Sequence, residues 1–300
     1  MPTTRLAALA VALAATCLGP LIAITSSGCR SVPVTGRRQI ANPLMSEAKE
    51  NQMGVTAYRE MMGEETMSSN AEAAAMVERV GRRIAAVSGR DDFDWEFKLV
   101  ASPTKNAFCL PGGKVAVYEG ILPICGNEAG LAVVMSHEIG HAIARHGGER
   151  MNHQMLKNGA GAVAKMALGK YSKLEEQTNQ MILAYGGKAA DVGAILPFSR
   201  KHELEADAIG LKLMAEAGYD PSEAPLFWER FSDPGSGKPP EFLSTHPSDA
   251  RRAAELRQQL PASVAIYKAA ATQYGLGEAI PDVQLASGTD AVKTAVVPAN

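Results

Sequence analysis

One stretch constrains this chain more than any other: Ser136-His137-Glu138-Ile139-Gly140-His141, in which two histidines stand four positions apart. On a helix that spacing puts both rings on one face, where they converge on a single cation. Glu138 is one step round the helix. It lies too far round to be the natural third ligand but close enough to reach a water beside the metal. Neutral imidazoles suit zinc, and a catalytic zinc keeps one position open. The helix itself is credible. Asn127 is an N-cap candidate with Glu128 in the first turn, Leu131, Val134 and Ile139 recur at helical spacing, and Gly147-Gly148 reads as the stop.

A second stretch, Ser199-Arg200-Lys201-His202-Glu203-Leu204-Glu205-Ala206-Asp207, repeats the logic with carboxylates. It reads as a helix from near Ser199 to Gly218. Glu203 and Asp207 are again four apart, so one can bind a metal while the other accepts the remaining ring N–H of a ligand histidine. Glu205 reads as solvated charge, and His146, His153 and His202 as surface or core-edge histidines.

Together these motifs resemble the gluzincin metallopeptidases of the CAAX prenyl endopeptidase and HtpX group, most closely the soluble BepA- and LoiP-like periplasmic branch. The resemblance runs from about Val32 to Tyr267. It includes Val32-Pro33-Val34-Thr35-Gly36-Arg37-Arg38, Asn106-Ala107-Phe108 with Pro111-Gly112-Gly113, both metal motifs, Ala217-Gly218-Tyr219-Asp220-Pro221 and Ser244-Thr245-His246-Pro247. It implies one zinc per chain on His137, His141 and Glu203, with Glu138 as general base and Asp207 behind the ligands. It also places the loop of His246 at the zinc, where the ring either fills the open position in a resting state or faces substrate. Arg252 is the candidate for holding the oxyanion, against a plain salt bridge. The Asn106-Ala107 strand is the candidate for binding substrate backbone as an added strand. The stretch 151–195, with glycines at its joints, is either helical packing or a lid over the cleft.

Elsewhere the sequence bounds the setting. Thirty Lys and Arg against 32 Asp and Glu leave no basic field, so nucleic acid is not an expected partner. Residues 6–25 carry no charged side chain, and Ser26-Ser27-Gly28-Cys29 follows. Residues 1–28 therefore read as a signal peptide of lipoprotein type with Cys29 lipidated, a simple anchor or ordinary signal peptide being the alternatives. An exported protein on the periplasmic face of the outer membrane is expected, with inner-membrane anchoring or a soluble periplasmic form as alternatives. Cys109 and Cys125 are either a disulfide or two buried thiols.

The expected fold is mainly α with a small β-sheet, a zincin-like domain over 29–275 with a disordered tail over 276–300. Helices are expected over 46–62, 70–87 and 262–273, and strands over 95–100, 106–110 and 114–118. The expected function is zinc-dependent endopeptidase action on unfolded or misfolded envelope proteins, outer-membrane proteins among them. The rivals are an assembly factor or chaperone with a structural zinc, and a metallo-hydrolase acting on something other than peptides.

Overall fold

The computed structural model describes residues 29–40, 45–157, 199–231, 246 and 250–283. Its longer helices are α1 (Glu47–Glu64), α2 (Ala71–Val87), α3 (Glu128–Ile143), α4 (His146–Lys157), α5 (Arg200–Glu216), α6 (Glu223–Phe231) and α7 (Ala250–Ala269), with a 3-10 turn at Glu119–Ile121 and a single helical turn at Leu122–Cys125 before α3. Its strands are β1 (Cys29–Ser31), β2 (Arg38–Ile40), β3 (Glu96–Val100), β4 (Ala107–Leu110) and β5 (Lys114–Tyr118). The fold is thus mostly helical with small sheets. No helix among the described residues is long and apolar enough to cross a membrane. The signal segment, most of the expected lid and the end of the tail lie outside the described residues.

The helices start where side-chain oxygens meet orphan backbone donors. Ser46 accepts from Lys49 N–H, Asn70 from Ala73, Asn127 from Gly130 and Ser199 from His202. The apolar stripe of α2 (Met76, Val77, Val80, Ile84) is buried as its spacing predicts.

β1 and β2 form an antiparallel pair. The larger sheet runs β3-β5-β4, with β3 parallel and β4 antiparallel to β5, Leu110 facing Lys114 across the Pro111-Gly112-Gly113 turn. Both glycines of that turn have positive φ, which explains their presence. β4 and β5 are buried at every position, whereas β3 alternates, with Phe97 and Leu99 buried and Glu96 and Lys98 half-exposed. Ala107, Cys109, Val115 and Val117 join a core shared with α2, α3, α5 and α6; Phe108, Leu110, Ala116 and Tyr118 join a second core with Met53, Ala57, Tyr58 and Met61 of α1. Cys109 and Cys125 are buried free thiols, so the disulfide alternative does not describe this structure.

Three boundaries differ from the sequence reading. α3 ends at Ile143 rather than at Gly147-Gly148, because Arg145 takes a left-handed conformation (φ 55°) and the glycines enter the first turn of α4. The helix expected to carry Arg251 and Arg252 and the one expected over 262–273 are a single helix, Ala250–Ala269, that runs through Pro261; losing one backbone donor does not end it. The packed chain continues past Gly275 to Val283. There the Leu276 and Glu278 carbonyls accept from Ala129 and Glu128 N–H, and Ile280 N–H donates to the Gly126 carbonyl. A stretch expected to be tail thereby satisfies first-turn donors of the helix that carries the histidines.

Candidate metal centre

α3 is buried along its whole length, which is why it can hold ionisable groups away from water. α5 crosses it closely, and two glycines make the approach feasible. A Cβ on Gly210 would stand 3.0 Å from the His137 backbone nitrogen, and one on Gly140 3.0 Å from the Ala206 carbonyl oxygen. The crossing brings the two four-residue spacings face to face. α7 packs against α5 and adds Arg252; His246, four positions before the first residue of α7, reaches the same point.

His137, His141, Glu203 and His246 each offer one donor atom, and the four atoms lie within 4.8 Å of one another. His137 Nε2 is 3.1 Å from His141 Nε2, 3.4 Å from Glu203 Oε2 and 3.4 Å from His246 Nδ1. Glu203 Oε1 is 3.4 Å from His141 Nε2 and 3.3 Å from His246 Nδ1. Donors around a tetrahedral zinc with bonds of about 2.0–2.1 Å stand roughly 3.3–3.4 Å apart, so this group has the size of a zinc site. Glu203 Oε1 is buried and accepts no hydrogen bond, as expected of an oxygen shaped for a cation, while Oε2 is ion-paired with Arg252. The residues fit zinc, the metal of this chemistry.

The surrounding charges fit as well. Burial disfavours charge on His137, yet contacts with Asp207 and Glu203 push its pKa up to about 9, the mark of a site that attracts positive charge. Glu203 is held well below the usual carboxylate range, because His246, Arg252 and His141 outweigh its burial. Glu138, 2% exposed, is pushed up by burial; its Oε1 accepts no hydrogen bond and lies 3.5 Å from His246 Nε2. A buried, raised carboxylate beside a metal site is a base with little to hold its charge except what enters the site.

Behind the ligands, Asp207 Oδ1 lies 3.0 Å from His137 Nδ1 and fixes that ring with its Nε2 toward the cation position. Of the two readings offered for Arg252, an oxyanion holder or a salt bridge, its contacts here are those of a salt bridge. Its Nε and Nη2 donate to the two Asp207 oxygens at 2.7 Å, and its Nη1 stands 2.8 Å from Glu203 Oε2. The guanidinium also stacks on Trp228, its carbon 3.8 Å from the ring centre. A group so placed positions both carboxylates. Glu205 and His146 depart from their expected surface roles. Glu205 is buried, and it accepts from Thr35 Oγ1 and Arg37 Nε and lies 2.9 Å from His146 Nε2.

β4 lies against α3 as an edge strand of its sheet. The Asn106 carbonyl accepts from Tyr118 N–H, so by antiparallel alternation the backbone groups of Ala107 face away from β5. The Asn106 side chain already takes the Ala107 N–H at 2.9 Å. Both residues are buried.

With this geometry in view, the comparisons with known proteins are specific. The profile of Peptidase family M48 matches residues 71–260. The mitochondrial metalloendopeptidase OMA1 of Schizosaccharomyces pombe is 40% identical over 235 residues, 77% of this chain and 66% of that protein. Its namesake from Arabidopsis thaliana is 40% identical over 174 residues, 58% of this chain and 33% of that protein. The beta-barrel assembly-enhancing protease of Escherichia coli K12 is 28% identical over 255 residues, 83% of this chain and 51% of that protein. The chain thus spans between 33% and 66% of the lengths of these relatives.

Proposed function

The chain belongs to peptidase family M48, and we propose that it is a zinc-dependent metalloendopeptidase that cleaves unfolded or misfolded proteins of the cell envelope. The observation that carries the reading is the zinc-sized group of His137, His141, Glu203 and His246 with the Glu138 carboxylate beside it, buried and without a hydrogen bond on Oε1. Bound there, zinc supplies Lewis acidity, acidifying water and polarising a carbonyl. His137, His141 and Glu203 hold it, and Asp207 and Arg252 hold those ligands in place. Glu138 Oε1 takes the proton from the attacking water and passes it to the leaving amine nitrogen, so the carboxylate ends each turnover ionised.

The contacts of His246 and the burial of Ala107 support reading this conformation as a closed, resting one. His246 Nδ1 takes the fourth donor position and its Nε2 sits beside Glu138, while Ala107 is 1% exposed. His246 is a latch: substrate enters when the ring withdraws, and the peptide backbone then adds along β4 at Ala107. Asn106 keeps the Ala107 N–H, which leaves the Ala107 carbonyl as the acceptor. Backbone pairing of this kind selects extended chains rather than side chains, which suits unfolded protein. The name of the Escherichia coli relative, a beta-barrel assembly-enhancing protease, supports outer-membrane proteins as substrates. Gly28-Cys29 supports export as a lipoprotein at the outer membrane, and Cys29 is exposed at the start of β1. A second reading, a structural zinc in an assembly factor, draws support from the same four protein donors, since closed sites are usually structural.

Purified wild type, Glu138→Gln, His246→Ala and the double variant decide between them through zinc content and cleavage of reduced casein. One zinc in each, cleavage raised several-fold in His246→Ala and abolished by Glu138→Gln in either background, is the expected result. Loss of zinc from His246→Ala without any cleavage would make the site structural.

A further inference from the structure

The ligand His141 turns its Nε2 toward the cation position, and its other nitrogen does not face solvent or a carboxylate. It faces a second histidine. His141 Nδ1 is 2.9 Å from His146 Nδ1, and His146 Nε2 is 2.9 Å from Glu205 Oε2. The Glu205 carboxylate in turn accepts from Thr35 Oγ1 and Arg37 Nε, each at 2.5 Å, and both donors belong to the turn between β1 and β2. His146 is fully buried, and the contacts join residues 35 and 37 to residue 205.

Hydrogen-bond arithmetic gives this chain a direction. An ionised carboxylate can only accept, so His146 must carry its hydrogen on Nε2 to bond Glu205. A neutral His146 is then an acceptor at Nδ1. His141 must therefore carry its own hydrogen on Nδ1, which leaves the Nε2 lone pair for a cation. Were His146 free to carry hydrogen on Nδ1, His141 would have to accept there and would turn an N–H toward the cation position. We propose that His146 and Glu205, anchored by Thr35 and Arg37 of the N-terminal hairpin, form a positioning relay that sets the tautomer and orientation of the ligand His141. The relay does for His141 what Asp207 does for His137, with an imidazole interposed because the nearest carboxylate is one ring further away. The hairpin at residues 29–40 is thereby part of the metal centre rather than a peripheral ornament.

This inference rests on the metal-centre reading, and one experiment separates their failures. Zinc dissociation constants are measured by competition with a chromophoric chelator for wild type, His146→Leu, His146→Asn, Glu205→Met and Glu205→Gln in the full chain. The thermal midpoint of each zinc-free protein is recorded alongside. The amide oxygen that His146→Asn introduces can still accept from His141. The amide oxygen that Glu205→Gln introduces can still accept from His146, while its NH2 donates to Thr35. His146→Leu and Glu205→Met are expected to weaken zinc binding about 10- to 100-fold, with His146→Asn and Glu205→Gln within a few-fold of wild type. Wild-type affinity in His146→Leu and Glu205→Met overturns the relay. So does a loss that the conservative variants share equally, or one that only tracks the zinc-free midpoint, because a packing role would produce either. A wild type that binds no zinc overturns the metal-centre reading, and the relay with it.

Discussion

Three carboxylates, Glu138, Glu203 and Asp207, lie buried within reach of one another, and the one buried guanidinium among the described groups of the site, Arg252, neutralises two of them. Burying the pair with Asp207 is costly unless every lone pair is met, and Arg252 meets both Asp207 oxygens. Arg252→Met should therefore destabilise the zinc-free protein by about 3–5 kcal/mol. The loss should be smaller in the zinc-loaded protein, where the dication offsets the uncompensated negative charge. Urea unfolding with and without zinc measures both, and equal losses would deny Arg252 a part in balancing the centre. At this scale the sequence spoke through spacing. Helical geometry groups His137, Glu138 and His141 on one element and Glu203 and Asp207 on another, while the meeting of the two groups was implied only by the family resemblance. Arg252 was legible only as a candidate, because its partner Asp207 is 45 positions away and nothing local says which way its side chain turns.

The precision of the site is set where two helices cross. α3 supplies two histidines and α5 the carboxylate, so any change in their separation is felt directly at the donor distances. Gly140 reads in the sequence as an unspecified position between the histidines, and Gly210 as one more small residue in a helix. The structure shows both at the closest approach. A Gly210→Ala methyl would meet backbone, which cannot swing aside. Zinc affinity is expected to drop at least about tenfold, since ligand geometry tolerates shifts of only about 0.5 Å, with helical content by circular dichroism retained. Gly63→Ala in α1 is the control: a Cβ there meets nothing within 4 Å. Relief of backbone entropy should leave that variant neutral or about 0.5–1 kcal/mol more stable. If Gly210→Ala binds zinc like Gly63→Ala, the crossing distance does not govern the site. The starts of α1, α2, α3 and α5 were readable from their caps because a cap is a local event. Ends were not: Arg145 stops α3 by adopting a conformation that its residue type does not announce, and Pro261 fails to stop α7.

The N-terminal hairpin ties the whole molecule together through charge. Arg37 donates to both Glu149 oxygens at 2.9 and 2.7 Å and to Glu205, so one side chain joins the hairpin, α4 and α5. These pairings were not legible, because local periodicity cannot pair residue 37 with residues 149 and 205, and Glu205 read as solvated charge. The consequence is a pH dependence whose sign follows from the shifts. Burial raises the Glu205 pKa, but bonds from His146, Thr35 and Arg37 outweigh it and hold the group down at about 2. Glu149 is held lower still, its burial outweighed by His202, Arg37 and Gln39. A carboxylate depressed by folding contributes stability that is complete above its unfolded value near 4.5 and is lost as pH falls toward the folded one. His146 acts in the same direction over a higher window. Burial lowers it from 6.5 to about 4, so its contribution is complete above 6.5 and fades as pH falls toward 4. The zinc-free protein should thus weaken first between pH 6.5 and 4 and again below 4.5. Arg37→Met keeps the histidine step, which belongs to the buried ring, and blunts the carboxylate step, because the guanidinium that depresses Glu149 and Glu205 is gone. Urea unfolding at pH 7, 5 and 3 should show a gap between wild type and Arg37→Met that is widest at pH 7 and narrows by pH 3. A gap constant across that range would mean that Arg37 holds the hairpin by packing alone, and that the hairpin reports no charge to the rest of the fold.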